Sequence, residues 1–307
     1  MRIGTRGSPL ALAQANLVAA LLGDCEIVPV LTGGDRNTDA ELRAAGEDKS
    51  RWVAELESAL LEGEIDVAVH SAKDVPGELA QGLCLLGATA RAPAQDVLCG
   101  ADSLDELAPG ARIGTSSLRR AAQLRAARED IDIAPIAGNV DTRLGKLAGT
   151  GDARLDAIVL ARAGLQRLGR ESQIGAVLDP ERFVPAPGQG VLALEGRAGD
   201  GELAAALAAI TDPAAFACLR AERALAAELQ ASCNTPLGAH AMLAGDEELL
   251  LRTWVGMPDG SAWLADQLLG DLHDPEALGR LAAERLNGAG AAELLRRAEE
   301  MADVGGR

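Results

Sequence analysis

The segment RIGTRGSPLALAQ, beginning at Arg2, is echoed by RIGTSSLRRAAQ, beginning at Arg112. Allowing one gap, each reads as a strand, a polar Gly/Ser/Thr turn and a helix. A second pair follows in the same order: EIDVAVHSAKDVP from Glu64 and RLDAIVLARAGLQ from Arg154. Each carries a short β-branched run after an aspartate, then a polar loop. Either match alone is short, but two in register predict a duplicated α/β unit. Strands alternating with helices predict mostly parallel sheets with helices on both faces. Ligands bind such sheets at the carboxyl ends of strands, and every polar loop quoted falls there.

The connections suggest how the units join. ATARAPAQDVL (88–98) reads as a crossing into the second unit, and FVPAPGQGVLALE (183–195) as a return with a Pro/Gly hinge and a fresh apolar strand. Asp212-Pro213 is an N-cap and first-turn pair. It opens an Ala-rich helical run to Gln230, followed by strand-like AHAMLAG and LLLRTWVGM, a turn at Pro258-Asp259-Gly260, another strand, and helices opened by Asp274-Pro275. The expected division is 1–90 plus about 188–208 as a discontinuous α/β domain, 91–187 as a second, and 209–307 as a smaller α+β domain.

Composition narrows the function. The chain has 307 residues, 48% hydrophobic and 24% charged, which places it with folded proteins. No apolar run approaches the roughly 20 residues of a membrane span, so no membrane partner is expected. The N-terminus carries no signal-like apolar region, and a cytoplasmic location is expected. A net charge of −17 argues against nucleic acid as a partner. Three self-sufficient domains suggest a monomer. The five cysteines show no CxxC or Cys/His spacing, so neither a metal site nor a disulfide framework is expected. Cys233 is the odd one, in the loop ASCNTPLGAH, where a thiol gains nothing by packing.

The polar loops carry the chemistry. Ser8 and Pro9 are a good cap and first helical residue, and the free N–H groups of that helix start form an anion site beside Arg6. An ordinary capped helix with a solvated arginine reads the same way. In GTSSLRRAAQL, Ser116 or Ser117 caps a helix, yet Arg119 and Arg120 stand in its first turn against the macrodipole, at roughly 0.3–1 kcal/mol each. Two adjacent guanidinium forks there ask for a bound anion. The alternative is one surface and one acid-paired arginine. Asn139 suits a turn, with Arg143 soon after it. Arg162 and Arg167 follow the next strand, and each alone also reads as helix surface. Lys73 and Asp74 follow the strand IDVAV; Asp74, ionised among cations, can accept N–H bonds or stabilise a cation. His70 is equally readable as a satisfied structural histidine. No Walker loop, GxGxxG, metal-binding run or GxSxG elbow is present.

At this point the chain resembles the porphobilinogen deaminase (hydroxymethylbilane synthase) family. The matching stretches are RIGTRGSPLALAQA, VHSAKDVP, GTSSLRRAAQL, GNVDTRLGKL, DAIVLARAGLQRLG, PAPGQGVLALE and ERALAAELQASCNTPLGA, in family order from residue 2 to about 240. The resemblance implies two α/β domains like those of periplasmic binding proteins, with mixed, mostly parallel sheets, plus the smaller third. It implies a dipyrromethane cofactor held by a thioether to Cys233. It implies a transferase of tetrapyrrole and heme biosynthesis that joins four porphobilinogen molecules with loss of ammonia, each through an azafulvene-like cation, then releases hydroxymethylbilane to water. By the same resemblance Asp74 is catalytic, and Arg6, Ser8, Lys73, Thr115, Ser117, Arg119, Arg120, Asn139, Arg143, Arg167 and Gln189 bind cofactor and substrate. Two readings stand beside it: a non-enzymatic anion-binding protein of the same architecture, and a family member with impaired turnover. The second arises because Ala137-Gly138-Asn139 stands where the family has Arg-Gly-Asn, unless a neighbouring basic residue compensates. The family's Gly-Gly before the cysteine is Ala231-Ser232, and its lid segment reads GEDKSRW (46–52).

Overall fold

The computed structural model describes residues 1–30, 50–151, 154–232 and 235–305. Cys233 and residues 46–49 of the expected lid lie outside the described residues.

The first lobe is a five-stranded sheet. In order across it run β2 (Glu26–Val30), β1 (Arg2–Arg6), β3 (Val67–Ser71), β10 (Leu192–Arg197) and β4 (Leu83–Ala88). The second lobe repeats this arrangement with β7 (Asp132–Ala134), β6 (Arg112–Gly114), β8 (Ala157–Ala161), β5 (Asp96–Cys99) and β9 (Ala176–Val177). In both, the first three strands are parallel and the fourth is antiparallel to its neighbour.

The repeat extends to single residues. Ile3 pairs with Val67 as Ile113 pairs with Ala157. The amide of Arg2 donates to Asp66 at 2.7 Å, and that of Arg112 to Asp156 at 2.8 Å. This explains why each second motif carries an aspartate before its strand. Gly4 and Gly114 are equivalent too: a Cβ on either would meet Ile65 at 2.1 Å or Leu155 at 2.9 Å. These two side chains are themselves matched in the repeat.

Each sheet is covered on both faces, as its apolar strands require. On the first, α1 (Pro9–Leu22) and α6 (Gly201–Ala208) pack one side, through Val18 and Leu207, and α2 (Ser50–Leu61) packs the other through Leu56 and Leu60. On the second, α3 (Leu118–Ala127) contributes Leu124 to one face. Leu165 of α5 (Arg162–Arg167) and Leu144 of α4 (Val140–Gly145) cover the other.

The third lobe is an antiparallel sheet, β11 (Leu237–Leu243), β12 (Glu248–Gly256) and β13 (Trp263–Asp271), packed on α7 (Pro213–Glu228), α8 (Pro275–Gly288) and α9 (Ala291–Gly305). Asp212 and Asp274 cap α7 and α8 as expected, each followed by proline. α7 ends at Glu228, slightly short of Gln230, which takes a left-handed φ of 51°.

Helix α7 also ties the lobes together. Glu222, fully buried, accepts from Arg91 at 2.8 Å in the first crossing, from Gly188 N at 2.6 Å in the return crossing, and from Ala241 N at 2.7 Å in β11. Burial raises its pKa; Arg91 and the two amides oppose that rise. Arg223 donates to the carbonyls of Val75, Pro76 and Gly77. Glu222→Ala strands a buried guanidinium and two buried amides. We expect a stability loss of about 3–5 kcal/mol, read as a lowered denaturant midpoint. An unchanged midpoint would show that water replaces the clamp.

His240 is a second buried group with a signature. It lies on β11, 7% exposed, and its Nδ1 has no hydrogen-bond partner among the described residues. Burial, with Arg91 and Arg252 adding to it, lowers its pKa to about 3. The unfolded chain, with histidine near 6.5, therefore binds the proton first. Stability is full above pH 6.5 and falls with pH below it, by about 2 kcal/mol at pH 5. His240→Gln should remove that slope. Parallel urea midpoints for both proteins between pH 7.5 and 5 would contradict this.

Candidate active site

The carboxyl ends of β1 and β3 open into one cleft of the first lobe. Its polar lining is Arg6, Ser8, Gln14, His70, Ser71 and Asp74; Leu10, Ala11, Val53 and Val69 complete it. Ser8 caps α1, accepting from Ala11 N at 3.3 Å. Gln14 Nε2 donates to Ser71 Oγ at 2.7 Å across the cleft wall. Lys73 and Asp74 ride a single 3-10 turn, Ala72–Asp74, that continues β3. That turn is fixed from behind, because Ala72 N donates to Val191 O at 3.0 Å and Arg223 holds the next three carbonyls. His70 pairs with fully buried Glu195 at 2.8 Å, which supports the structural reading of this histidine.

The matching strand ends of the second lobe hold Thr115, Ser117, Asn139 and Arg143. Thr115 is buried, and its hydroxyl accepts from Ser117 N at 3.2 Å. Ser117, rather than Ser116, caps α3. Asn139 caps α4 through Thr142 N at 2.9 Å. Arg143 Nε donates to Gly138 O at 2.7 Å, and Lys146 Nζ to Ala137 O at 2.8 Å. Two cations thus reach the Ala137–Gly138 turn, where the side chain of Ala137 offers none.

Four of the expected binding residues have partners within the protein. Arg119 and Arg120 do not stand open at the helix start. They are 4% and 8% exposed, and both bind one carboxylate: Arg119 to Asp96 Oδ2 and Arg120 to Asp96 Oδ1, each at 2.8 Å. The anion that the helix dipole demanded is therefore supplied by the protein. Burial alone would raise the Asp96 pKa, but Arg119, Arg120 and the hydrogen bond from Gln189 hold it well below the carboxylate range. Gln189 is 1% exposed; its Nε2 donates to Asp96 Oδ1 at 2.8 Å and to Ala94 O at 2.6 Å, so it joins the two crossings. Arg167 turns inward to Gly190 O at 2.7 Å, and burial lowers its pKa to about 10. Arg162 is the arginine at the mouth of β8. It is half-buried, with Nε lacking a hydrogen-bond partner among the described residues. The repeat could have singled it out, since it aligns with Ala72, next to Lys73.

Three of the remaining thiols are poorly suited to covalent chemistry. Cys99 and Cys218 are buried, and burial pushes both thiols up to about 11; Cys84 is half-buried and also raised, chiefly by burial. Among the described residues no group of His, Cys, Asp or Glu is placed to hold a metal.

Comparison with known proteins agrees with this layout. Residues 1–205 match the family model "Porphobilinogen deaminase, dipyromethane cofactor binding domain", and 216–288 match "Porphobilinogen deaminase, C-terminal domain". The chain belongs to the porphobilinogen deaminase family. Porphobilinogen deaminases of Roseiflexus castenholzii and Xanthomonas euvesicatoria pv. vesicatoria are 44% and 45% identical to it, each over 96% of this chain and 98% of the relative. That of Thiobacillus denitrificans is 44% identical over 96% and 97%. Among solved structures, the periplasmic VFT2 domain of Bordetella pertussis BvgS is similar over 68% of this chain and 86% of that one, at 17% identity and TM-score 0.39. The family's fold, two related α/β lobes plus a smaller lobe with an antiparallel sheet, is the one described above. The enzyme class, a transferase that forms hydroxymethylbilane, and the dipyrromethane cofactor follow from family membership.

Proposed function

We propose that this chain condenses four porphobilinogen molecules head to tail, with loss of ammonia, and releases the linear tetrapyrrole, using a primer attached at Cys233. The observation that carries the reading is the shared cleft of Arg6, Ser8 and Asp74 at the strand ends of the first lobe, in a chain of this family. When bound, the dipyrromethane supplies a nucleophilic pyrrole carbon and a covalent leash. The donor set suits it. A pyrrole N–H needs an acceptor, and Asp74 is the acidic group in the cleft. Ring carboxylates need cations or free amides, and Arg6 and the capped start of α1 stand beside it. Asp74 holds negative charge where positive charge develops on the substrate as its amine departs. Lys73, Thr115, Ser117, Arg143 and Lys146 offer donors to carboxylates of the lengthening chain. Arg162, half-buried at the end of β8, joins Arg167 as a candidate donor. Asn139, Arg119, Arg120 and Gln189 shape the site from beneath.

The reading includes a cytoplasmic monomer, supported by a net charge of −17 that favours a dispersed chain. Its three units are the 1–90 plus about 188–208, 91–187 and 209–307 segments. Among the described residues no single helix is long and apolar enough to cross a membrane.

Intact mass spectrometry of the purified protein, before and after adding porphobilinogen, tests the reading. Two pyrrole units above the sequence mass are expected first, then stepwise additions of one ring. A protein that stays at sequence mass and takes up no ring would end it.

A further inference from the structure

One buried carboxylate has no part in binding or chemistry as described. Asp96 opens β5, where the chain enters the second lobe, and is 1% exposed. It divides its oxygens between Arg119 on one side and Arg120 with Gln189 on the other. Each arginine makes one further bond: Arg119 Nη1 donates to Val184 O at 2.8 Å and Arg120 Nη1 to Val159 O at 3.1 Å, while both Nε atoms are buried without a partner among the described residues. Gln189 belongs to the return crossing, and that crossing touches the catalytic turn directly. Gly188 has φ +74°, and a Cβ there would lie 2.9 Å from the Ala72 carbonyl carbon and 3.0 Å from Lys73 N. Two residues on from Gln189, Val191 O accepts from Ala72 N. An unbroken series of contacts therefore runs from the arginine pair through Asp96 and Gln189 to the turn that carries Asp74.

We propose that Asp96 is a positioning residue for the condensation: one carboxylate shared by Arg119, Arg120 and Gln189 sets the separation between the strand ends of the second lobe and the Asp74 turn. The inference rests on the functional reading above. Asp96 touches no substrate; it acts through Gln189 and the 188–191 segment. Without it, two adjacent guanidiniums repel at a buried site and the crossing loses its anchor. A reacting pair misplaced by about 1 Å loses up to roughly 100-fold in rate while ground-state binding is retained.

The test compares Asp96→Asn, Gln189→Met and the double variant as pyrrole-loaded proteins, their loading checked by intact mass. The expected result for each single variant is a kcat lower by roughly 10–100-fold with KM within about twofold. Enzyme carrying partial chains should accumulate in the mass spectrum, and the double variant should fall no further than Asp96→Asn alone. Gln189→Met leaves both ion pairs in place, so it decides the matter if Asp96→Asn does not fold. A parent-like kcat in Gln189→Met overturns the proposal. So does an additive double variant, or a loss of rate matched only by loss of folded protein. A parent protein that takes up no porphobilinogen refutes the functional reading and Asp96 with it, whereas parental turnover beside an unaffected Gln189→Met refutes Asp96 alone.

Discussion

Cys233→Ser is expected to purify at its sequence mass, to give no colour with Ehrlich's reagent and to show no detectable turnover. The reasoning is one of nucleophile and place. A thioether needs a thiolate, and a serine hydroxyl supplies no comparable nucleophile near neutral pH. Nor do the two buried thiols offer a substitute. At about 11, the thiols of Cys99 and Cys218 are ionised at roughly one part in ten thousand at pH 7, and both are buried. The residues described on either side of position 233 make contacts of their own. Ser232 N donates to Thr235 Oγ1 at 2.9 Å. Just beyond, Ala239 N donates to Pro185 O at 2.8 Å, and a Cβ on Gly238 would meet Val184 O at 2.8 Å. Strand β11, which follows position 233, is therefore tied to the return crossing, beside the contacts made by Glu222. The variant should also melt earlier than the loaded parent, because a group bound only to the folded state stabilises it. Retention of two pyrrole units by Cys233→Ser would exclude this attachment point.

What could be read from sequence was local or periodic. The duplicated motifs predicted two like sheets, and the strand registers match residue for residue. Ser8-Pro9, Asp212-Pro213 and Asp274-Pro275 announced helix starts because a cap is settled within four residues. Partners distant in sequence could not be read. The helix dipole at Arg119 and Arg120 called for an anion, but dipole arguments do not say whose. A ligand carboxylate and Asp96, more than twenty residues upstream, satisfy it equally. Glu222 and Arg223 look like solvated residues in ERALAAELQ, yet they reach both crossings and the stretch after Asp74. Arg162 and Arg167 are adjacent turns of one helix. Only the packing of that helix shows that Arg167 faces Gly190.

Asp74→Ala is expected to bind porphobilinogen with nearly parental KM and to turn over about 100- to 1,000-fold more slowly, a loss of about 2.7–4 kcal/mol in transition-state stabilisation. The backbone should survive, because the turn is held by groups other than the Asp74 carboxylate: Val191 O on Ala72 N, Ala72 O on Val75 N, and Arg223 on the carbonyls that follow. The side chain is half-buried in an open cleft, so its removal leaves a space that water fills. Two further substitutions separate charge from hydrogen bonding. Asp74→Asn keeps an acceptor for a pyrrole N–H but holds no negative charge. If stabilising the cation is the larger effect, it should be nearly as slow as Asp74→Ala; if accepting N–H bonds is the larger, it should be intermediate. Asp74→Glu keeps the charge and displaces it by one methylene, and should recover part of the rate. Single-turnover ring addition, followed by intact mass, reads the chemical step apart from product release. Turnover near the parental rate in Asp74→Ala would remove Asp74 from the chemistry and leave the cleft as a binding surface alone.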